Sequence, residues 1–462
     1  MMKRGAKPTV FALLGLTAAL AACAAEPRGP NVVVILTDDQ GYADISFNPL
    51  HPPEVSTPHI DTLARAGVFF AQAYTSSSYC SPTRAGLMLG RYQQRVGVYT
   101  ASEGGDGFDP SIPIFPSFLP DEYVSAAIGK WHLGLDEDYP ALAWHALNRG
   151  FDEAYLFMGR GAHDYFRLKG ASGTHDSSPI YRNRKRIDDE GYLTTRLTEE
   201  ACAFIERHKQ RPFFLYLAYN ALHAPRQAPQ EDIERFRARF PHLSEDRATL
   251  MAMLYHLDLG VGAVVRKLKD EGLWDDTLLF FLTDNGGSRG MGANNAPLRG
   301  WKKSKWEGGI RTPLIVSWPR RIRGGRTVQA PVISLDILPT ALDALDVPLP
   351  EGTSLDGKSL LPLLDGRAET IHESLFWSSG GADGEWAVRS GNWKLVGLRE
   401  RRLLFDLAAD PSEKLDLATR RPEKVAELTR LYDRWLDRMA EPLHGGGKRW
   451  VQGATGTRGA QR

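Results

Sequence analysis

The chain has 462 residues, and its 57 lysines and arginines balance 56 aspartates and glutamates to a formal net charge of +1. That balance excludes a general nucleic-acid binder, which needs a basic surface. Apolar residues make up 42% of the chain, enough for a large domain and a smaller one, and three cysteines exclude a disulfide framework.

Lys3, Arg4 and Lys7 precede an apolar stretch over residues 10–22, the pattern of an export signal and not of a membrane span. Its loss takes the formal charge from +1 to −2. Leu20-Ala21-Ala22-Cys23 resembles the lipobox of bacterial lipoproteins. Cys23 would then carry lipid, anchoring an exported protein in the periplasm or at the outer membrane. Cleavage near Ala22 or Ala25 without lipid is the alternative.

Residues 32–37 are nearly all apolar and β-branched, as in an inner strand of a parallel sheet. Asp38-Asp39-Gln40-Gly41 follows at the strand's carboxyl end, where α/β sheets gather ligands. Adjacent carboxylates repel and call for a cation; solvated turn residues are the simpler reading. Residues 57–67 read as a helix with Thr57 as cap, and residues 68–74 as a strand leading to Cys80. In Cys80-Ser81-Pro82-Thr83-Arg84, Pro82 suits a first helical turn. Cys80 is then expected at the positive helix end, with Arg84 one turn on. A nucleophile there suits an anionic substrate. Residues 97–107 are Gly-rich and expected to be loop.

Residues 124–128 predict another inner strand, followed by Gly129-Lys130-Trp131-His132-Leu133-Gly134. Lys130 and His132 would share a side if the chain stays extended. Residues 212–219 predict a strand running toward Asn220, His223 and Pro225. Cys202 falls in a helix over 197–208 and reads as buried filler, and residues 254–268 form a second helix. The strand over 277–283 ends at Asp284-Asn285-Gly286. Asp38, Asp39, Asp284 and Asn285 make an all-oxygen donor set, which is calcium or magnesium chemistry and not zinc. Arg299, Lys302, Lys303 and Lys305 cluster before Trp306-Glu307-Gly308-Gly309, a strand is expected over 314–318, and a covering helix starts at Asp336. Beyond residue 368 the short segments 386–389, 393–396 and 403–406 predict a small antiparallel sheet, and 422–439 an amphipathic helix. The Gly/Arg-rich end, 443–462, reads as a disordered tail.

The segment 80–84 closely resembles the C-x-P-x-R signature of the formylglycine-dependent sulfatases of the alkaline phosphatase superfamily. The segments at 38–41, 129–134, 283–286 and 298–302 resemble that family's other motifs, in the family's order. The resemblance implies an α/β fold: a large mixed, mostly parallel sheet between helices over 28–367, then a smaller antiparallel sheet with a helix over 368–442. It implies that Cys80 is converted by a maturase to formylglycine, whose hydrate attacks sulfur with one hydroxyl and expels sulfate with the other. It selects calcium, held by Asp38, Asp39, Asp284, Asn285 and the modified Cys80. Arg84, Lys130, His132, His223 and Lys302 become the other catalytic residues, with His132 near the nucleophile and His223 near the leaving group. Lys303 stands where the family often has glycine, which keeps the choice of Lys302 over Lys303 open. His163, Asp164 and Tyr165 are candidate contacts to a sulfated saccharide. Alternatives are a phosphomonoester or phosphonate hydrolase of the same superfamily, a non-catalytic carbohydrate-binding lipoprotein, and an ordinary cysteine nucleophile.

Overall fold

The computed structural model describes residues 29–136, 141–159, 161–168, 178–380 and 384–443. The signal segment, Cys23 and the glycine-rich tail lie outside the described residues.

Eleven strands form the main sheet. In chain order they are β1 (Asn31–Thr37), β2 (Val68–Tyr74), β3 (Val124–Lys130), β4 (Glu153–Phe157), β5 (Ile180–Arg182), β6 (Lys185–Ile187), β7 (Phe213–Ala218), β8 (Thr277–Thr283), β9 (Arg311–Ser317), β10 (Arg326–Val328) and β11 (Val332–Ile333). Across the sheet they run β10-β2-β9-β8-β1-β7-β3-β4-β5-β6, with β11 also against β2. The central strands β8, β1, β7, β3 and β4 are parallel, and β9 runs against both β8 and β2.

Every residue of β1, β7 and β8 is buried, which is why these strands lack polar alternation. Val32, Val34 and Leu36 face a core closed by the helices Cys80–Leu89 and Ile337–Ala344. Val33 and Ile35 face the opposite core, closed by Pro58–Ala66, Leu193–His208 and Glu245–Asp270. That last helix is, among the described residues, the one long and apolar enough to cross a membrane, and 72% of its most apolar stretch is buried in this core.

A second, antiparallel sheet is formed by β12 (Ser374–Ser378), β13 (Trp386–Ser390), β14 (Trp393–Leu398) and β15 (Arg401–Asp406). The helix Pro422–Leu436 packs on it through Leu428, Tyr432 and Trp435. This unit shares a core with Tyr74, Tyr92 and Ile310 of the first. A buried charge cluster joins the two. Lys394 Nζ lies 2.8 Å from Glu307 Oε1 and 2.8 Å from Glu413 Oε1, and the Tyr74 hydroxyl donates to Glu307 Oε2 at 2.7 Å.

Four local expectations need correction. Residues 101–106 of the glycine-rich stretch form a short helix, closed by Glu103 bonding back to Thr100. Thr57 does not cap its helix, because its hydroxyl bonds Asp61. The Asp258 carboxylate instead accepts from the backbone N–H groups of His59 and Ile60, at 3.1 and 2.8 Å. Cys202 is only half-buried. The strand β12 carries too short an apolar pattern to have been read from sequence.

Candidate active site

The parallel register of β1 and β8 pairs Thr37 with Thr283. The next residues, Asp38 and Asp284, therefore leave the sheet side by side, as do Asp39 and Asn285 behind them. All four are almost fully buried. Beyond β7 the chain bends back, where Ala221 O accepts from the Asp38 N–H at 2.9 Å, and this bend carries His223. Lys130 ends β3, and Gly129 before it adopts φ 102, where a side chain would strike the Ala218 carbonyl.

Cys80 is the first residue of a ten-residue helix whose residues are all buried, with Pro82 in the first turn and Gly90 closing it at φ 61. Cys80 is 3% exposed. Burial pushes its thiol pKa up, and the nearby Lys130 and Lys302 only partly oppose that. Arg84, fully buried, donates from Nε and Nη2 to Asp284 Oδ2 at 3.0 and 2.7 Å, and from Nη1 to the Lys130 carbonyl at 2.8 Å. Lys130 Nζ bonds Asp38 Oδ2, and Lys302 Nζ lies 2.7 Å from Asp39 Oδ1. Asn285 Nδ2 donates to the same Asp39 oxygen at 2.8 Å.

The carboxylates of Asp38, Asp39 and Asp284 offer oxygens within 4.8 Å of one another, and Asp38, Cys80 and His223 offer a second such group. Two oxygens here, Asp38 Oδ1 and Asn285 Oδ1, are buried and have no partner among the described residues. An unpaired buried acceptor is costly. A hard divalent cation satisfies both, so this donor set fits calcium or magnesium. Burial and the neighbouring Asp38 raise Asp284 to about 6 despite Arg84. Burial would raise Asp39 too, but Lys302 and His223 hold it well below the usual carboxylate range.

Both histidines are held neutral. Burial, then Lys130 and Arg84, push His132 well below its ordinary value, and burial with Lys130 takes His223 to about 4. His223 Nδ1 donates to the Ala224 carbonyl at 2.9 Å, which leaves Nε2 as its free nitrogen, 3.9 Å from Asp39 Oδ2. His132 Nδ1 is buried and unpartnered, and its ring is hemmed in by Gly161 and Gly105, where added Cβ atoms would sit 2.7 and 3.2 Å from it. Asp39, His132 and Lys303 occupy positive φ, at 58, 54 and 80°. Such backbone strain concentrates at functional sites. The positive φ of His132 also corrects the expectation of an extended chain after Lys130, and that of Lys303 accounts for a position where glycine is common.

A family model described as Sulfatase matches residues 30–347, and one described as N-sulphoglucosamine sulphohydrolase, C-terminal, matches residues 300–440. This chain belongs to the sulfatase family. The sulfatase is 32% identical to bovine (Bos taurus) arylsulfatase A over 442 residues, covering 87% of this chain and 81% of that one. It is 32% identical over 401 residues to the uncharacterized sulfatase YdeN of Escherichia coli (strain K12), covering 75% and 68%. Among solved structures, Ps i-CgsB in complex with k-i-k-neocarrahexaose is 33% identical with a TM-score of 0.83, covering 90% and 94%.

The sulfatase thus brings together Asp38, Asp39, Cys80, Arg84, Lys130, His132, His223, Asp284, Asn285 and Lys302. It places His163, Asp164 and Tyr165 differently from a sugar-contacting row. The His163 ring nitrogens lie 2.6 and 3.0 Å from the Asp164 and Ser178 carbonyls, to one of which the neutral ring donates, and the buried Tyr165 hydroxyl lies 2.9 Å from both the Asn220 and His223 carbonyls. Asp164 accepts from the backbone N–H groups of Phe166 and Arg167 and from Gln227. The Tyr165 hydroxyl and the Asp164 contact with Gln227 reach the loop that carries His223. Tyr165→Phe is therefore expected to cost about 1 kcal/mol and to lower kcat several-fold, read by urea melts alongside steady-state kinetics.

Lys305 belongs in sequence to the basic cluster of Arg299, Lys302 and Lys303. It is fully buried, its Nζ 2.8 Å from Ser78 Oγ and 2.6 Å from Ser379 Oγ, and burial takes its pKa down to about 7. The Trp-Glu-Gly-Gly stretch just after it was the available signal of burial.

Proposed function

We propose that this sulfatase hydrolyses a sulfate monoester on a saccharide, using formylglycine made from Cys80 and one calcium ion. The observation that carries this reading is the pair of unpartnered buried oxygens, Asp38 Oδ1 and Asn285 Oδ1, among carboxylates grouped with Cys80. Asp38, Asp39, Asp284 and Asn285, with the modified Cys80, would hold the ion, which supplies charge to acidify the nucleophile and polarise the sulfate. Formylglycine supplies a hydrated carbonyl in place of a thiol that burial keeps protonated.

The chain's own groups then have distinct tasks. Arg84 keeps Asp284 and the start of the nucleophile helix in fixed relation, through two bonds to one carboxylate oxygen. Lys130 and Lys302 stand on either side of the carboxylates and neutralise sulfate oxygens as charge develops on them. His223, with its Nδ1–H committed to the Ala224 carbonyl, presents Nε2 as an acceptor, and it gives a proton to the leaving alcohol after taking one up from solvent at that nitrogen. His132, neutral and unpartnered at Nδ1, takes a proton from the nucleophile side. His163, Asp164 and Tyr165 position His223 in this reading.

A saccharide substrate is supported by the relative solved in complex with k-i-k-neocarrahexaose and by 31% identity to the N-acetylgalactosamine-6-sulfatase of Canis lupus familiaris. The reading includes a maturase acting on Cys80, a lipid anchor at Cys23 on an exported chain, and a division into catalytic and C-terminal units near residue 367.

The test is the mass of the Cys80 peptide from active protein together with sulfate release. A peptide about 18 Da lighter than the cysteine form is expected, in protein that liberates inorganic sulfate. An unmodified Cys80 in fully active protein would overturn the mechanism.

A further inference from the structure

A cleft of about 740 Å³ opens beside the catalytic centre and shares Lys302 and Tyr79, the residue before Cys80, with it. Three sets of residues wall it: Tyr79 before the nucleophile helix, the loop 299–306, and Ser379, Gly384 and Glu385 from between β12 and β13. The size lies in the range of small-ligand sites. Three of its groups are unused. Among the described residues Glu385 Oε2 is buried and accepts no hydrogen bond, and Glu385 forms no ion pair, although its charge acts on the buried Lys305. Trp301 is half-buried, and its indole N–H has no partner among the described residues. Lys303 is exposed and unpaired among the described residues, yet its backbone is pinned by its N–H donating to the Ser78 carbonyl at 2.8 Å. The nearby Trp306 is not equivalent to Trp301, because the Arg299 guanidinium already covers it at 3.7 Å.

Each unused group selects a chemistry. A carboxylate is acceptor-only and calls for hydroxyl donors, and it repels an anion placed directly on it. A half-exposed indole offers a flat apolar face and one donor. An unpaired lysine at the rim suits an anionic substituent. Hydroxyls, a flat C–H face and a peripheral anion coincide in one ligand class, an anionic sugar ring.

We propose that this cleft is a subsite for a second, anionic sugar ring adjoining the ring that bears the scissile sulfate. This rests on the saccharide-sulfatase reading above. Glu385 accepts hydroxyls of the second ring, Trp301 carries its face, and Lys303 meets its sulfate or carboxylate. Both walls are needed, so the C-terminal unit takes part in substrate choice. The enzyme accordingly prefers oligosaccharides to single sulfated sugars.

The experiment measures kcat/KM on sulfated fragments of galactans and glycosaminoglycans with one ring and with two, and on 4-nitrophenyl sulfate. The ratio of two-ring to one-ring kcat/KM is taken within each variant, so that a general loss of activity cancels. In the wild type a ratio of about tenfold or more is expected. In Trp301→Ala and in Glu385→Gln it is expected to fall below about threefold. Lys303→Met should lower the ratio for an added anionic ring and leave that for a neutral ring. A ratio that survives both Trp301→Ala and Glu385→Gln overturns the subsite. So does a wild type that shows no gain from the second ring, or that splits the aryl sulfate but neither cleaves nor is inhibited by any fragment. Modified wild-type protein that releases sulfate from none of these compounds overturns the sulfatase reading itself, a different failure.

Discussion

Cys80→Ala is expected to release no sulfate above background, a loss of about 10⁵-fold or more, while the fold stays intact. Alanine keeps the helix and removes one buried sulfur, at a cost of about 1 kcal/mol. The same inactivity is expected of wild-type chain produced without its modifying partner, because burial holds the unmodified thiol protonated. Three samples decide the point: modified wild type, unmodified wild type and Cys80→Ala, compared by sulfate release and by thermal melts. If unmodified wild type matched the modified form, the thiol itself would be the nucleophile. If Cys80→Ala kept more than about one part in a hundred of the activity, chemistry would have to begin elsewhere in the site.

Arg84→Leu is the change expected to damage the fold most. Its guanidinium is fully buried, bonds Asp284 and lies 3.5 Å from Asp38. Leucine leaves Asp284 buried without its cation, beside Asp38. Breaking one side of a buried pair costs about 3–5 kcal/mol. Calcium bound by the same carboxylates should return part of that loss, since a ligand stabilises the state that binds it. Urea melts in calcium and in chelator should therefore diverge more for Arg84→Leu than for wild type. A variant as stable as wild type in chelator would show that Arg84 is not what balances these carboxylates. Arg84→Lys keeps the charge but not the two-pronged geometry and should fall between the two.

The site was legible in sequence where chemistry follows a strand. The Asp38-Asp39, Lys130-x-His132 and Asp284-Asn285 segments each come directly after an apolar run, and parallel pairing of those runs brings residues more than 200 positions apart within bonding distance. The donor set announces its metal class by its oxygens alone. Legibility failed where the direction of a side chain decides the role. Nothing in the order His163-Asp164-Tyr165 tells that the tyrosine hydroxyl turns inward to two carbonyls while the histidine ring is buried between two others. Lys302, Lys303 and Lys305 look alike as letters, yet one meets Asp39, one stands at a rim on a left-handed backbone, and one is buried between serines. Glu385 and Trp301 belong to no apolar period and sit in different units of the chain, so only the folded arrangement sets them on one cleft.

The buried meeting of Lys394 with Glu307 and Glu413 has a consequence in time. Glu307 follows the loop that holds Lys302; its partners Tyr74 and Arg311 are made early, whereas Lys394, which also meets Glu413, is made late. A growing chain that has finished β1 through β9 has Arg311 3.4 Å from Glu307 Oε2 but still lacks the Lys394 ammonium that meets Oε1. The anchoring of the lysine loop is therefore completed only when β14 supplies Lys394, although chains begin to fold from the N-terminus during synthesis. Cys80, 3% exposed in the finished protein, belongs to the early part. On the proposal that Cys80 is modified, docking of the C-terminal sheet would close the interval in which a modifying enzyme can reach that residue.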